Sequence, residues 1–276
     1  MTGMRLSLCN EVIRELEFER QCALAATLGY AGLEIAPFTL AEDPTRLNAA
    51  RVAELRRALA GAGLACSGLH WLLVAPDGLS ITSADEAARA RTLEVMRRLV
   101  ALCAELGGTY LVHGSPAQRR TGGDAAAAAR GEAAWAAIAS DAERAGVTYC
   151  IEPLAPPEAD FVNTLAEAAT IVRRIASPAL RTMLDTSAAG NAEAEAPDAL
   201  VDRWLPTGLL AHVQLNDRNR RGPGQGSDRF APVLGALRRH GYAGWLAMEP
   251  FEYVPDGPGA AAHAIGYVRG TLEALR

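Results

Sequence analysis

A chain of 276 residues, 50% hydrophobic and 21% charged, has the balance of a globular protein with a sizeable core, which excludes disordered and fibrous classes. Its 27 Lys plus Arg against 32 Asp plus Glu give a net charge of -5, so there is no broad cationic face for a phosphate backbone, and nucleic acid is not an expected partner. No apolar run approaches the roughly 18 residues of a membrane span, and MTGMRLSLCNEVIREL lacks the basic and long apolar segments of a leader, so the expectation is a cytoplasmic enzyme without membrane association.

Short apolar runs alternate with helix-like stretches eight times, at about 34 residues per unit, close to the roughly 250 residues in all that a (β/α)8 barrel needs. The expected strands are Arg5 to Cys9, Gly32 to Ala36, Leu64 to His70, Thr109 to His113, Val147 to Glu152, Arg181 to Asp185, Leu209 to Leu215 and Gly244 to Glu249. Between them, stretches such as AARARTLEVMRRLVALCAEL and TLAEAATIVRRIA space apolar residues at three and four with Arg or Glu between, the pattern of amphipathic helices. Gly29, Gly63, Gly107, Gly146 and Gly241 stand between a helix and the next strand, where a C-cap is expected. Ser83, Asn163 or Thr164, and Ser227 or Asp228 are the expected N-caps.

DAAAAARGEAAWAAIA reads as an Ala-rich helix with Trp135 and Ile138 inward, and AAGNAEAEAPDA as a polar surface connection before a short helix. No Pro-rich or Ser-rich linker divides the chain, so residues 1–276 are read as one barrel domain. Five cysteines, Cys9, Cys22, Cys66, Cys103 and Cys150, show no CxxC spacing and read as buried thiols in a reducing compartment.

Four of the last runs, VTYCIE, RTMLD, LLAHVQ and GWLAME, carry one oxygen donor each: Glu152, Asp185, Gln214 and Glu249, at spacings of 33, 29 and 35 residues. In a parallel barrel the carboxyl ends of the strands converge on one face, so these residues meet in space. Three carboxylates and an amide oxygen form a hard-donor set suited to Mn²⁺ or Mg²⁺, with Co²⁺ also compatible. Three carboxylates so close repel one another at neutral pH, and a cation or protonation must relieve them. Singly, each acid at a strand end reads equally as a salt bridge or a cap; four at successive strands read as a site.

The segments IEPLAPPE, MLDTS, HVQLNDRNRRGPGQG and GYAGWLAMEPF resemble the last four strand-end motifs of the xylose-isomerase-like TIM barrels, a family that includes D-tagatose 3-epimerases and hydroxypyruvate isomerases. The resemblance spans nearly the whole chain. It implies a metal-dependent isomerase or epimerase of a sugar or small hydroxycarbonyl acid, in which a bound ion stabilises an enediolate while glutamates move the proton. It implies that Glu152 and Glu249 are both ligands and acid/base groups, that Asp185 and Gln214 are ligands only, and that the protein is a homodimer or homotetramer. Gln214 stands where epimerases usually place a histidine, a feature similar to the hydroxypyruvate isomerases. Glu158, Arg220 and Glu34 are implied as substrate contacts. Ala188 departs from the histidine that both groups commonly carry three residues after the aspartate, which puts substrate identity in doubt.

From the residues themselves, His70 and His113 end the third and fourth expected strands and are candidates to orient a sugar hydroxyl or bind a second metal. Trp71 is a candidate pocket wall, since aromatic faces stack on sugar rings. Asn10, Phe38, Phe251 and Tyr253 read as loop packing near the mouth, and His240 and His263 as solvent-facing. The competing functions are a metal-dependent dehydratase of an inosose- or dehydroshikimate-like substrate, a non-catalytic sugar-binding barrel, and an abasic-site endonuclease. Only His70 and His113 resemble the extra ligands of the last.

Overall fold

The computed structural model describes residues 3–276. Eight strands, β1 (Arg5–Cys9), β2 (Gly32–Ile35), β3 (Ala65–Leu69), β4 (Tyr110–His113), β5 (Thr148–Ile151), β6 (Leu180–Asp185), β7 (Leu210–Leu215) and β8 (Trp245–Met248), follow one another round a closed barrel. Every neighbouring pair is parallel, and β1 closes the ring on β8. A parallel sheet covered on both faces needs apolar residues on both, which is why β2, β4 and β8 are buried at every position.

The outer layer is α1 (Phe18–Leu28), α2 (Ala49–Gly61), α3 (Glu86–Leu106), α4 (Ala125–Ala145), α5 (Leu165–Ile175), α6 (Thr186–Ala192), α7 (Pro197–Trp204), α8 (Ala231–Arg239) and α9 (Gly257–Ala274). Gly29, Gly107 and Gly146 end α1, α3 and α4 with φ of 92°, 81° and 71°, a left-handed conformation that costs glycine no steric penalty. The main core lies between the helices and the outer face of the barrel, and Tyr110, Val112, Cys150, Met183 and Trp245 form a separate buried cluster.

The expected elements shift in three places. Thr164 caps α5 as read, but Asp85 rather than Ser83 caps α3, accepting from Ala87 N at 2.9 Å. No side chain caps α8: Asp228 instead accepts from the backbone N and Nε of Arg218 at 2.8 and 2.7 Å. The run read as a surface connection is half helical, because Asp185 itself caps α6 through Ala188 N at 2.8 Å. All five cysteines are buried and free. Among the described residues no helix is long and apolar enough to cross a membrane.

Register sets the site. Asp185 on β6 lies directly beside Gln214 on β7, whose partner on β8 is Ala247, two residues before Glu249. Glu152 and Glu249 fall one residue beyond β5 and β8, where the ladder fades as the chain turns outward.

Candidate metal centre and active site

Glu152, Asp185 and Glu249 are buried and each brings a carboxylate oxygen within 4.8 Å of the others. Asp185 is held on both oxygens: Oδ1 by Ala188 N, and Oδ2 by Asn216 Nδ2 at 2.6 Å. Asn216 Oδ1 also accepts from Glu249 N at 3.0 Å, so one amide ties the ends of β6 and β8 together. Glu249 Oε1 lies 2.7 Å from His70 Nδ1, while its Oε2 is buried without a partner. Gln214 donates Nε2 to Glu34 Oε1 at 2.6 Å, which leaves its own Oε1 buried and unpartnered.

Unpaired buried oxygens cost about 1–3 kcal/mol each, so two of them beside a carboxylate cluster call for a ligand. Burial pushes the Glu152 carboxyl well above its usual range, and Glu249 and Asp185 push it further. Burial likewise takes Glu249 up to about 8, against the hydrogen bond from His70, and Asp185 up to about 6, against the donors Ala188 N and Asn216. A divalent cation would relieve this repulsion and give the free oxygens a partner. The donor set, all oxygen, fits Mn²⁺ or Mg²⁺.

The cluster opens into a cavity of about 300 Å³ lined by Glu152, Asp185, Glu158, Ala188, Arg220 and Phe251 among others. Arg220 pairs with Glu158 and lays its guanidinium 4.7 Å over the Phe251 ring. Its backbone is clamped at a φ of 70°, its N–H on Asp217 O and its carbonyl on Phe251 N and Glu252 N. Trp71 stands between Phe38 and Phe251, with ring centroids 5.7 and 5.6 Å away. Gly114 follows β4 because a Cβ there would sit 2.2 Å from Glu152 Oε2.

Two expected substrate contacts, His70 and Glu34, are engaged by other side chains of the protein. His70 is fully buried with both nitrogens engaged, Nδ1 by Glu249 and Nε2 by Glu11 Oε2 at 2.9 Å, leaving no polar atom for a ligand. Glu34 is also fully buried; Oε1 holds Gln214, and Oε2 accepts from the Tyr110 hydroxyl. His212 Nε2 lies 2.9 Å from that Oε2 but off the axis of a hydrogen bond. Burial alone would raise Glu34, yet His212, the charge of His70 and the Tyr110 hydroxyl hold it down at about 2.

His113 accepts at Nδ1 from Tyr149 Oη at 2.8 Å and Trp135 Nε1 at 3.2 Å, which fixes the tautomer with its hydrogen on Nε2, an atom without a partner. Burial and Arg119 press its pKa down to about 3, so the ring is neutral. Arg119 is not available to an anion: it is fully buried and donates to the Glu152 carbonyl at 2.6 Å.

The sequence reading passed over Glu11, Asn216 and Tyr110. Asn216 stands two residues after Gln214, and this period-two spacing along a strand was a usable signal. Tyr110 reaches Glu34 only because Gly68 on β3 has no side chain, a Cβ there lying 2.6 Å from the ring. Glu11, in a short turn after β1, carries no signal at all.

Fold and site together define a parallel (β/α)8 barrel with buried oxygen donors gathered at the carboxyl ends of its strands. The chain belongs to the xylose isomerase-like TIM barrel family, whose pattern it matches over residues 22–271. It is 30% identical over 243 residues to an L-ribulose 3-epimerase of Mesorhizobium japonicum, covering 86% of this chain and 76% of that one. It is 35% identical over 124 residues to a D-psicose 3-epimerase of Agrobacterium fabrum, covering 45% of this chain and 42% of that one. Among solved structures, an L-ribulose 3-epimerase superposes with a TM-score of 0.84 at 24% identity, covering 99% and 96% of the two chains. A 3-keto-D-glucoside 4-epimerase from E. coli superposes with a TM-score of 0.83 at 20% identity, covering 97% and 99%. Both show the shared fold.

Proposed function

We propose that this protein is a divalent-metal-dependent epimerase of a ketose, working by proton transfer at a carbon next to the carbonyl. The class, isomerase or epimerase, follows the relatives, which are named for L-ribulose and D-psicose. The single observation that carries the metal reading is the pair of unpartnered buried oxygens, Gln214 Oε1 and Glu249 Oε2, beside mutually repelling Glu152 and Asp185.

Glu152, Asp185, Gln214 and Glu249 would hold the cation. Bound there, it supplies a Lewis acid that polarises a carbonyl and acidifies the neighbouring C–H. Glu152 and Glu249 carry the proton: each is buried at the cavity and each belongs to a different strand end. Buried Asp185, tied on both oxygens, serves as a ligand only. Arg220 and Glu158, paired at the cavity wall, orient substrate hydroxyls, Trp71 and Phe251 offer apolar faces to the sugar, and the Nε2–H of His113 is a further candidate donor.

The test is a panel of ketoses incubated with Mn²⁺-loaded protein in heavy water. Deuterium appears at the carbon that changes configuration, and Glu152→Gln and Glu249→Gln each abolish it while the far-ultraviolet circular dichroism stays that of the wild type. Normal turnover in either variant removes the proton-transfer role. A dehydrated, ultraviolet-absorbing product in place of an epimer overturns the reaction type.

A further inference from the structure

The two glutamates assigned to proton transfer are not held alike. Among the described residues no side chain hydrogen-bonds the Glu152 carboxylate; Glu249 is gripped on one oxygen by His70, and His70 is gripped in turn by Glu11. The three side chains are 3% exposed or less.

We propose that Glu11 and His70 are positioning residues, a buried strut that fixes the Glu249 carboxylate so that Oε1 rests on the imidazole and Oε2 stays free for the cation. The inference rests on the reading of Glu249 as a ligand. Its base is rigid. Asn10, the neighbour of Glu11, accepts from Ala36 N at 2.8 Å and donates to Gln21 Oε1 and Thr39 Oγ1 at 3.0 and 2.8 Å, so the turn after β1 is braced against α1 and the exit of β2. From that turn Glu11 reaches across to the end of β3, and His70 carries the contact on to the end of β8.

An imidazole with a short contact at each nitrogen has a fixed ring plane, since rotation about χ2 would break both bonds at once. Glu249 keeps the second lone pair of Oε1 as well as the whole of Oε2, so the strut restrains the carboxylate without closing it to the site. Cys9, Glu11, His70 and Glu249 also lie within 4.8 Å of one another, as they would around a second ion. One feature favours the strut: both imidazole nitrogens already have partners. Hydrogen bonds to the groups that bind a metal typically change its affinity by about 10- to 100-fold.

The experiment measures free Mn²⁺ by electron paramagnetic resonance as it is added to full-length wild type and to Glu11→Ala, His70→Phe and Glu11→Gln. Wild type should bind one ion per chain. Glu11→Ala and His70→Phe should bind it about 10- to 100-fold more weakly. Glu11→Gln, whose amide can still hydrogen-bond the ring, should stay close to wild type. At saturating Mn²⁺ the first two should lower kcat and leave the ketose KM unchanged. Should either variant fail to fold, the wild type decides: on adding Mg²⁺ the ¹⁵N resonance of His70 Nδ1 should shift, while those of His240, paired with Asp202 on the outer surface, stay fixed. Wild-type affinity in the folded Ala and Phe variants, an unmoved His70 resonance, or two ions per chain overturns the strut alone. Absence of any divalent binding by the wild type overturns the metal reading beneath it.

Discussion

Gln214 donates its amide nitrogen to Glu34 Oε1 at 2.6 Å, and this one bond decides which end of the amide remains for a ligand. An amide has two near-isosteric ends, and only the oxygen can coordinate a cation. Glu34→Gln removes the obligate acceptor: the new side chain can present NH₂, and the Gln214 amide is then free to turn over. We expect Mn²⁺ affinity to fall about 10- to 100-fold in this variant, measured by titration. Unchanged affinity would show that Glu34 does not orient Gln214.

Gly114 gives a steric test. A methyl group there would stand 2.2 Å from Glu152 Oε2, far inside van der Waals contact. Gly114→Ala should displace the Glu152 carboxylate and cut kcat/KM by at least an order of magnitude, because misplacements of about 1 Å cost roughly 100-fold. The thermal transition should move only slightly. Steady-state kinetics alongside calorimetry separates the two effects.

The ion-free protein should lose stability as pH rises from 6.5 to 8. Glu249 keeps its proton up to about pH 8 in the fold, against an ordinary 4.5, and Glu152 and His70 are also raised. His113, down at about 3 from an ordinary 6.5, is neutral in the fold but half charged in the unfolded chain at pH 6.5, so it opposes the trend only at the lower end of this window and is outweighed by the three raised groups. The folded state therefore binds more protons than the unfolded one, and each rise in pH favours unfolding. Tm of the EDTA-treated protein should fall across this window, and saturating Mn²⁺ should flatten the slope. A Tm that rises with pH contradicts the buried-repulsion account.

Ala188 sits in the cavity wall against Leu154 and Ala159, where the resemblance leads one to expect a histidine. Ala188→His adds a hydrogen-bonding ring to a wall that presently offers a methyl group. With simple ketoses, KM should fall in the variant if the missing imidazole is what limits their binding. Comparison of KM across the panel checks this, and a rise for every ketose would show that the alanine leaves needed space.

How far the sequence disclosed this molecule depends on what kind of signal each residue carries. Glu152, Asp185, Gln214 and Glu249 each end an apolar run, a contrast that survives without any coordinates, and so the barrel and its donor set were legible together. Glu34 and His70 were visible as polar residues in apolar strands, but their contacts were not: Glu34 meets a residue 180 positions away and His70 one 179 away, across the barrel. Glu11, in NEVI, looks like any acid in a turn, because its significance lies wholly in what the fold brings to it. The segment from Ala188 reads as a connection because Asp185 is given one role there, whereas its Oδ1 also starts a helix.

Arg119 ties the loop after β4 to the loop after β5 through the Glu152 carbonyl, and the same two loops are joined again by Arg120 to the Glu158 carbonyl at 3.0 Å and by Gly122 N to Asp160 at 2.7 Å. One bank of the cavity is thereby riveted to the barrel, and Glu158 rides on it. The facing bank, with Arg218 and Arg220, belongs to the single long loop after β7. Any attempt to widen the range of sugars admitted has its purchase there, since changes in that loop that spare Arg220, the partner of Glu158, leave the riveted bank in place.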